Sequence, residues 1–348
     1  MSRRAVRPGF AIAAILFLLA LPAGAQPPNN KPQGNIRVTF VNIGAGLCTV
    51  IECPGDPAQT APILYDCGSS GRGDTGLDRN GAVQFVRTIL GRYGVPPRVV
   101  VSHPDGDHYN YVTAIMGNVN ASSIWLGAQA ADYNVTFQQW LQAQQQAGVA
   151  VNVFNQGASN NGQPIGGLAC GAGLLPASGT FLLTVNAGDD PNAKSLVLRI
   201  AYGQFLATLT GDATAETLTS LMYNYRGGVA NGAIATTLLG APHHGSVTEG
   251  SNSFVWPQVF QPRIVVYSAG ERYFHPRCQA IGVYDAGGTL RNAQNHPLQC
   301  GDEGAYWLIN RANAQYLTES NGSLWIDANG QGGVQVSCDA ANVNCNLN

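Results

Sequence analysis

The sequence predicts an α+β fold in two sheet-forming halves with helices on the outside. Three observations predict it: short apolar or alternating runs recur along the chain, stretches of helical periodicity separate some of them, and clusters of His, Asp and Gly fall just past several run ends. At 348 residues and 45% hydrophobic content the chain can bury a sizeable core. No internal repeat points to a solenoid.

The first 25 residues place Arg3, Arg4 and Arg7 before the apolar stretch from Phe10 to Leu21 and end in Ala23-Gly24-Ala25. This is the form of a bacterial-type secretory signal peptide, so the mature chain is expected to begin near Gln26 and to be periplasmic or secreted. The apolar stretch is short for a span, and no stable membrane insertion is expected after cleavage. Residues 26–34, with Pro27, Pro28, Pro32 and Gly34, read as a linker; residues 35–330 read as one domain and residues 331–348 as a C-terminal tail.

Within the domain, Asn35 to Asn42 and Leu47 to Glu52 alternate around Gly44-Ala45-Gly46 as a hairpin, and Ile63 to Tyr65 form a third strand ending at Asp66. Phe85, Val86, Ile89 and Leu90 recur at helical spacing before Gly94 and Pro96, and the apolar strand Arg98 to Ser102 follows. Ile124 to Leu126 is a strand, Asn134 to Ala147 a helix, and Val149 to Phe154 another strand. The Gly- and Asn-rich stretch from Gln156 to Gly179 reads as a surface excursion held by Cys170. Strands resume at Phe181 to Asn186, Ser195 to Tyr202 and Phe205 to Thr210, with a helix from about Thr214. Residues 233–239 and Ile264 to Tyr267 complete the series, leading into His243-His244 and His275. Both halves are expected to be antiparallel.

Removing the leader with its three arginines makes the formal charge of −2 three units more negative, which excludes a protein that coats itself in nucleic acid through bulk charge. All eight cysteines lie after the expected cleavage point, and an even number in an exported chain favours disulfides. Cys338 with Cys345 would close the C-terminal tail and Cys278 with Cys300 would brace the segment after His275, among the other pairings that the count leaves open. Cys67, beside Asp66, is better read as a disulfide partner than as a ligand.

The chemistry concentrates at Ser102-His103-Pro104-Asp105-Gly106-Asp107-His108-Tyr109. Two imidazoles and two carboxylates directly after a strand are ligands for a divalent cation, and solvated turns rarely gather four such groups. Five of the six histidines (His103, His108, His243, His244 and His275) sit in loops after strands, where neighbouring strand ends converge. His296, in what reads as a polar loop, is taken as structural.

Seven blocks in order carry a resemblance: Phe40 to Gly46, Tyr65-Asp66-Cys67-Gly68, Ser102 to His108, Ser195 to Leu198, Leu209-Thr210-Gly211-Asp212, Pro242-His243-His244-Gly245-Ser246, and Gly270 through His275-Pro276. From about Ile36 to Gly330 the chain resembles the metallo-β-lactamase fold superfamily, specifically the hydrolase domain of ComEC-type competence proteins. The resemblance implies a four-layer αββα sandwich with its metals at one edge of two facing sheets. Asp105 stands where the superfamily's second motif histidine is usual, as in the competence-type branch, and no histidine between His108 and His243 supplies the usual third-motif ligand.

On this basis His103, Asp105 and one of the His243/His244 pair are expected to hold one divalent ion, Asp107, His108 and His275 the other, with Asp212 bridging. Adjacent residues of an extended segment point apart, which favours His243 as the ligand and His244 as an orienting or proton-donating group. Asp66 is expected to accept a hydrogen bond from a ligand imidazole, and Asp107 both to ligate and to accept a proton. The oxygen-rich ligand set makes Mn²⁺ a rival to Zn²⁺. Where the superfamily continues Asp-His with x-Gly-Gly, this chain has Tyr109-Asn110-Tyr111, which either narrow the approach and contact substrate or simply pack.

The implied activity is binuclear metal-dependent hydrolysis of a phosphodiester, in which two cations share and activate a water as a bridging hydroxide. The substrate is either small or polymeric. A nucleic acid is not supported by charge, since only scattered residues such as Arg272 and Arg277 lie near the motifs. A phosphorylcholine ester, met by Tyr109, Tyr111 or Tyr273, is the nearest alternative. β-Lactam or lactone hydrolysis and a non-catalytic metal-stabilised binding protein are disfavoured, the first by Asp105 and the second by the full ligand set.

Overall fold

The computed structural model describes residues 26–348 apart from 29, 32, 59, 72–75, 155–163, 172, 225–233 and 303. The segment expected as a signal peptide and part of the Gly- and Asn-rich stretch expected as a surface excursion lie outside the described residues.

The first half comprises β1 (Ile36–Phe40), β2 (Gly46–Glu52), β3 (Ile63–Ser69), α1 (Arg79–Leu90), β4 (Arg98–Val101), α2 (Gly106–Tyr109), α3 (Val112–Met116), β5 (Ser123–Leu126), α4 (Val135–Gln146) and β6 (Val151–Val153). The second comprises β7 (Gly179–Thr184), β8 (Val197–Tyr202), β9 (Phe205–Leu209), α5 (Ala215–Asn224), β10 (Leu238–Gly240), α6 (Val255–Phe260), β11 (Ile264–Tyr267), α7 (Cys278–Gly287), β12 (Asn292–Asp302), β13 (Ala305–Asn313), β14 (Gln315–Leu317), α8 (Thr318–Asn321), β15 (Leu324–Ala328) and β16 (Val334–Cys338). An eight-stranded sheet runs β16-β15-β1-β2-β3-β4-β5-β6, a six-stranded sheet runs β14-β11-β10-β9-β8-β7, and β12 and β13 pair as a separate hairpin.

Three apolar layers define the sandwich. Phe40, Tyr65 and Val100 from the larger sheet meet Leu182, Leu198, Leu209 and Val266 from the smaller one in the central layer. The other face of the larger sheet packs Val50, Leu64 and Val99 against Phe85 and Ile89 of α1, Ile115 of α3 and Phe137 of α4. The other face of the smaller sheet packs Leu183, Leu239 and Val265 against Leu221, Trp256 and Tyr284 of α5, α6 and α7. Period-two alternation in the strands thus feeds two apolar faces per sheet, giving the expected four-layer αββα arrangement.

The sheets are mixed, where antiparallel halves were expected. β3, β4, β5 and β6 pair in parallel, as do β9, β10, β11 and β14. The physical reason is the intervening helices: α1, α3 and α4 each carry the chain back across the sheet, which a tight turn cannot do. Of the strand expected over residues 233–239, the described residues pair as a strand from Leu238 to Gly240. Residues 331–348, expected as a tail, contribute β16 at the edge of the larger sheet through pairs from Leu324↔Cys338 to Ala328↔Val334. His296 lies in β12 rather than in a loop: it is buried, its ring nitrogens face the carbonyls of Gln294 and Gln315 at 2.8 and 2.7 Å, and it stacks on Tyr316.

All eight cysteines are paired, as Cys48–Cys67, Cys53–Cys170, Cys278–Cys300 and Cys338–Cys345. Among the described residues no helix is long and apolar enough to cross a membrane.

Candidate metal centre

Five strand ends meet at one edge. β3 carries Asp66 shortly before its end, β4 leads into Ser102 and the turn that opens α2, β9 into Gly211-Asp212, β10 into the 242–245 turn, and β11 into Ser268 and the loop carrying His275. Gly211 is required where it stands. Its backbone is left-handed at φ +55°, and a Cβ there would lie 2.7 Å from Ser102 Oγ.

Asp212 organises the site through its two oxygens. Oδ2 lies 3.9 Å from His103 Nε2 and 3.8 Å from His243 Nε2, and Asp105 Oδ2 approaches His103 Nε2 to 3.7 Å. Oδ1 lies 3.1 Å from His108 Nε2 and 3.4 Å from His244 Nε2, and Asp107 Oδ2 is 3.9 Å from His244 Nε2. Ligand atoms about 2.1 Å from a common tetrahedral centre stand about 3.4 Å apart, so these separations are those of two donor sets sharing one carboxylate.

Hydrogen bonding behind the rings sets which nitrogen faces inward. Asp66 Oδ2 accepts from His108 Nδ1 at 2.9 Å and from Ser102 Oγ at 2.7 Å, while its Oδ1 accepts from the Ser102 N–H at 2.7 Å. Ser102 Oγ also lies 2.9 Å from His103 Nδ1. His244 Nδ1 donates to the Ser268 carbonyl at 2.7 Å. With both Nδ1 atoms donating, the Nε2 atoms of His108 and His244 face each other at 3.3 Å with their lone pairs. That arrangement repels unless a proton or a metal ion lies between them.

Two further features fit a metal. Among the described residues, His103 Nε2 and Asp212 Oδ1 are buried without a hydrogen-bond partner. The buried carboxylates draw positive charge, as protons or as metal ions, to the same place. Burial opposes charge on Asp212, yet the imidazoles of His108 and His244 hold its carboxyl well below the usual range. Burial likewise opposes charge on His108, but Asp212 and Asp66 hold it well above the usual histidine range, and Asp212 raises His244 in the same way. Among the described residues, His103, His108 and Asp212 form one group with ligand atoms within 4.8 Å of one another, and Asp107, His108 and His244 form a second.

Two expectations change. Both His243 and His244 face Asp212, because the segment is not extended there: their φ values are +49° and +55°, a left-handed turn that swings consecutive side chains to one side. The place expected for His275 beside Asp107 and His108 is taken by His244. His275 stands next to His243, with ring centroids 5.9 Å apart, and its Nδ1 is buried without a hydrogen-bond partner among the described residues. Burial, reinforced by His244, His243 and Arg277, pushes it down to about 3, which keeps the ring neutral.

Tyr109 and Tyr111 pack rather than meet substrate, since both are buried and Tyr109 lies against Tyr133 and Phe137. Asn110 is spent on the β3 end, accepting from the Ser69 N–H at 3.0 Å and donating to the Ser69 carbonyl at 2.8 Å. Tyr273 remains 42% exposed beside His275, with the Arg272 guanidinium over its ring, so it is the aromatic left to face a ligand. The roles of Ser102, Ser195 and Ser268 were not read from the sequence. Ser195 Oγ accepts from the Asp212 N–H at 2.9 Å, and the only signal for Ser102 was its position directly before His103.

No family model matches the chain. Over 279 residues it is 25% identical to the competence protein ComA of Neisseria gonorrhoeae, a match that covers 76% of this chain and 33% of that protein, so the chain spans about a third of its relative. Among solved structures, it is similar to CmlA, a diiron β-hydroxylase from Streptomyces venezuelae, at 13% identity and a TM-score of 0.42 over 80% of this chain and 55% of that one. It is also similar to a metal-dependent hydrolase of the β-lactamase superfamily at 12% identity and a TM-score of 0.41, over 72% of this chain and 93% of that one.

Proposed function

We propose that the chain is an exported metal-dependent hydrolase that cleaves phosphodiester bonds at a two-metal centre. One observation carries this reading: Asp212 presents one carboxylate oxygen to His103 and His243 and the other to His108 and His244. His103, Asp105 and His243 would hold one ion, Asp107, His108 and His244 the other, with Asp212 shared. The mixed nitrogen and oxygen donors suit Zn²⁺ and Mn²⁺. Two such ions, when bound, lower the pKa of a shared water and offset charge that grows on the attacked centre.

The chain's own residues do the remaining work. Asp66, Ser102 and the Ser268 carbonyl fix the ring orientations, so the donor atoms are aimed before any ligand arrives. Asp107, the more open of the ligand carboxylates after Asp105, accepts the proton released by the attacking water. Four disulfides support an oxidising, exported setting. The competence-type resemblance favours a phosphodiester, and the acidic balance favours one smaller than nucleic acid.

The test is the metal content of purified protein followed by turnover of bis-p-nitrophenyl phosphate, single-stranded DNA, a phosphorylcholine ester and nitrocefin. About two ions per chain and cleavage of bis-p-nitrophenyl phosphate are expected. Cleavage of nitrocefin alone would overturn the phosphodiester assignment.

A further inference from the structure

β2 and β3 do not pair evenly at the end nearest the metal centre. Cys48 opposes Cys67 and Thr49 opposes Tyr65, so Asp66 is the extra residue of a β-bulge, with φ at +53°. Side chains alternate along a strand, and Tyr65 lies in the central layer while Leu64 and Cys67 both lie in the layer under α1. Without the bulge Cys67 would point to the face opposite Cys48. The Cys48–Cys67 disulfide is therefore compatible with the bulged register alone, and it locks that register.

The bulge is what aims Asp66. Its carboxylate reaches Ser102 and His108, and through Ser102 Oγ it reaches His103. The locked strand end also seats the ligand turn, because the Cys67 carbonyl accepts from the Tyr111 N–H at 3.0 Å. A Cβ on Gly68 would lie 2.6 Å from the Gly106 carbonyl oxygen, so backbone touches backbone beneath Asp107. On the other strand the Gly46 carbonyl accepts from Ser268 Oγ at 2.9 Å, and the Ser268 carbonyl orients His244.

We infer that the Cys48–Cys67 disulfide is a positioning device for the metal centre, so that tight ion binding requires this crosslink to be oxidised. The inference rests on the two-metal reading given above. The crosslink lies in the layer under α1 and acts on the centre through Asp66 and the α2 turn.

The test compares Zn²⁺ and Mn²⁺ affinity, by competition with a chromophoric chelator, in the wild type, C48A/C67A, the better-filled C48V/C67A, and C338A/C345A, whose lost disulfide lies away from the site. Near-ultraviolet circular dichroism reports folding. Metal affinity is expected to fall tenfold or more in both Cys48/Cys67 variants and less than twofold in C338A/C345A. Asp66→Asn is expected to weaken binding in the wild type and to add little in C48A/C67A, because the carboxylate is no longer aimed there. Folded variants with wild-type affinity would overturn the inference while leaving the two-metal reading intact. Failure of both variants to fold would also overturn it, by making the bond a staple of the whole domain. A wild type that binds no metal would sink the two-metal reading first.

Discussion

The residue that decides the centre is Asp212. Buried and hydrogen-bonded to Ser195 through its own N–H, it is held at the point where donors from both sheets converge. Asp212→Ala removes the shared carboxylate and leaves four imidazoles facing one another. Loss of a supporting residue around a metal ligand typically costs about 10- to 100-fold, so loss of the ligand itself is expected to cost at least about 100-fold in metal-dependent turnover, checked by kcat/KM with metal content measured in parallel. A second residue makes a prediction away from the site. Burial pushes the Asp339 carboxyl up from 3.8 to about 6, against the lowering effect of hydrogen bonds from Ser323. The folded state then holds that proton more tightly than the unfolded chain, so this group's contribution favours folding at low pH and is lost as pH rises through the interval from 3.8 to about 6. Asp339→Asn keeps an acceptor for the Ser323 N–H without the charge, and its Tm is expected to exceed the wild type's at pH 7 and to match it near pH 4. An equal Tm at both values would count against this account.

At the scale of elements, the strands that end in chemistry were the most legible. Ile264 to Tyr267 and the runs ending at Asp66, Ser102 and Asp212 stood out because a strand buried on both faces is apolar at nearly every position. The hairpin of β12 and β13 did not, because β12 is rich in Asn and Gln and β13 is largely exposed, including Trp307 and Leu308. Helices α2 and α3, of four and five residues, are too short to show a period. The candidate ligands were legible as residue types, but the choice between His244 and His275 was not, since it turns on the left-handed backbone at His243 and His244. Helix α1 was legible from its apolar face, and its start is set by Asp78, whose Oδ1 accepts from the Gly81 N–H at 2.6 Å. Asp78→Ala is expected to cost about 1 kcal/mol in urea unfolding with turnover unchanged.

For the whole molecule, the centre lies across the junction of the two halves: His103 and His108 come from the larger sheet, and Asp212, His243 and His244 from the smaller. An ion held by both sheets stabilises the folded state by mass action, about 2.7 kcal/mol at a hundredfold excess over Kd. Chelation is accordingly expected to lower Tm by several degrees and resupply of Zn²⁺ or Mn²⁺ to restore it, as measured by calorimetry. Strand β1 adds a constraint of another kind. It sits between β2 and β15, and Ile36 pairs with Ala328 near the far end of the chain. Among the described strands the first must wait for β15 before its second edge is covered, which makes closure of the larger sheet a long-range event. A ribosome making this chain would hold an unfinished sheet until β15 emerged.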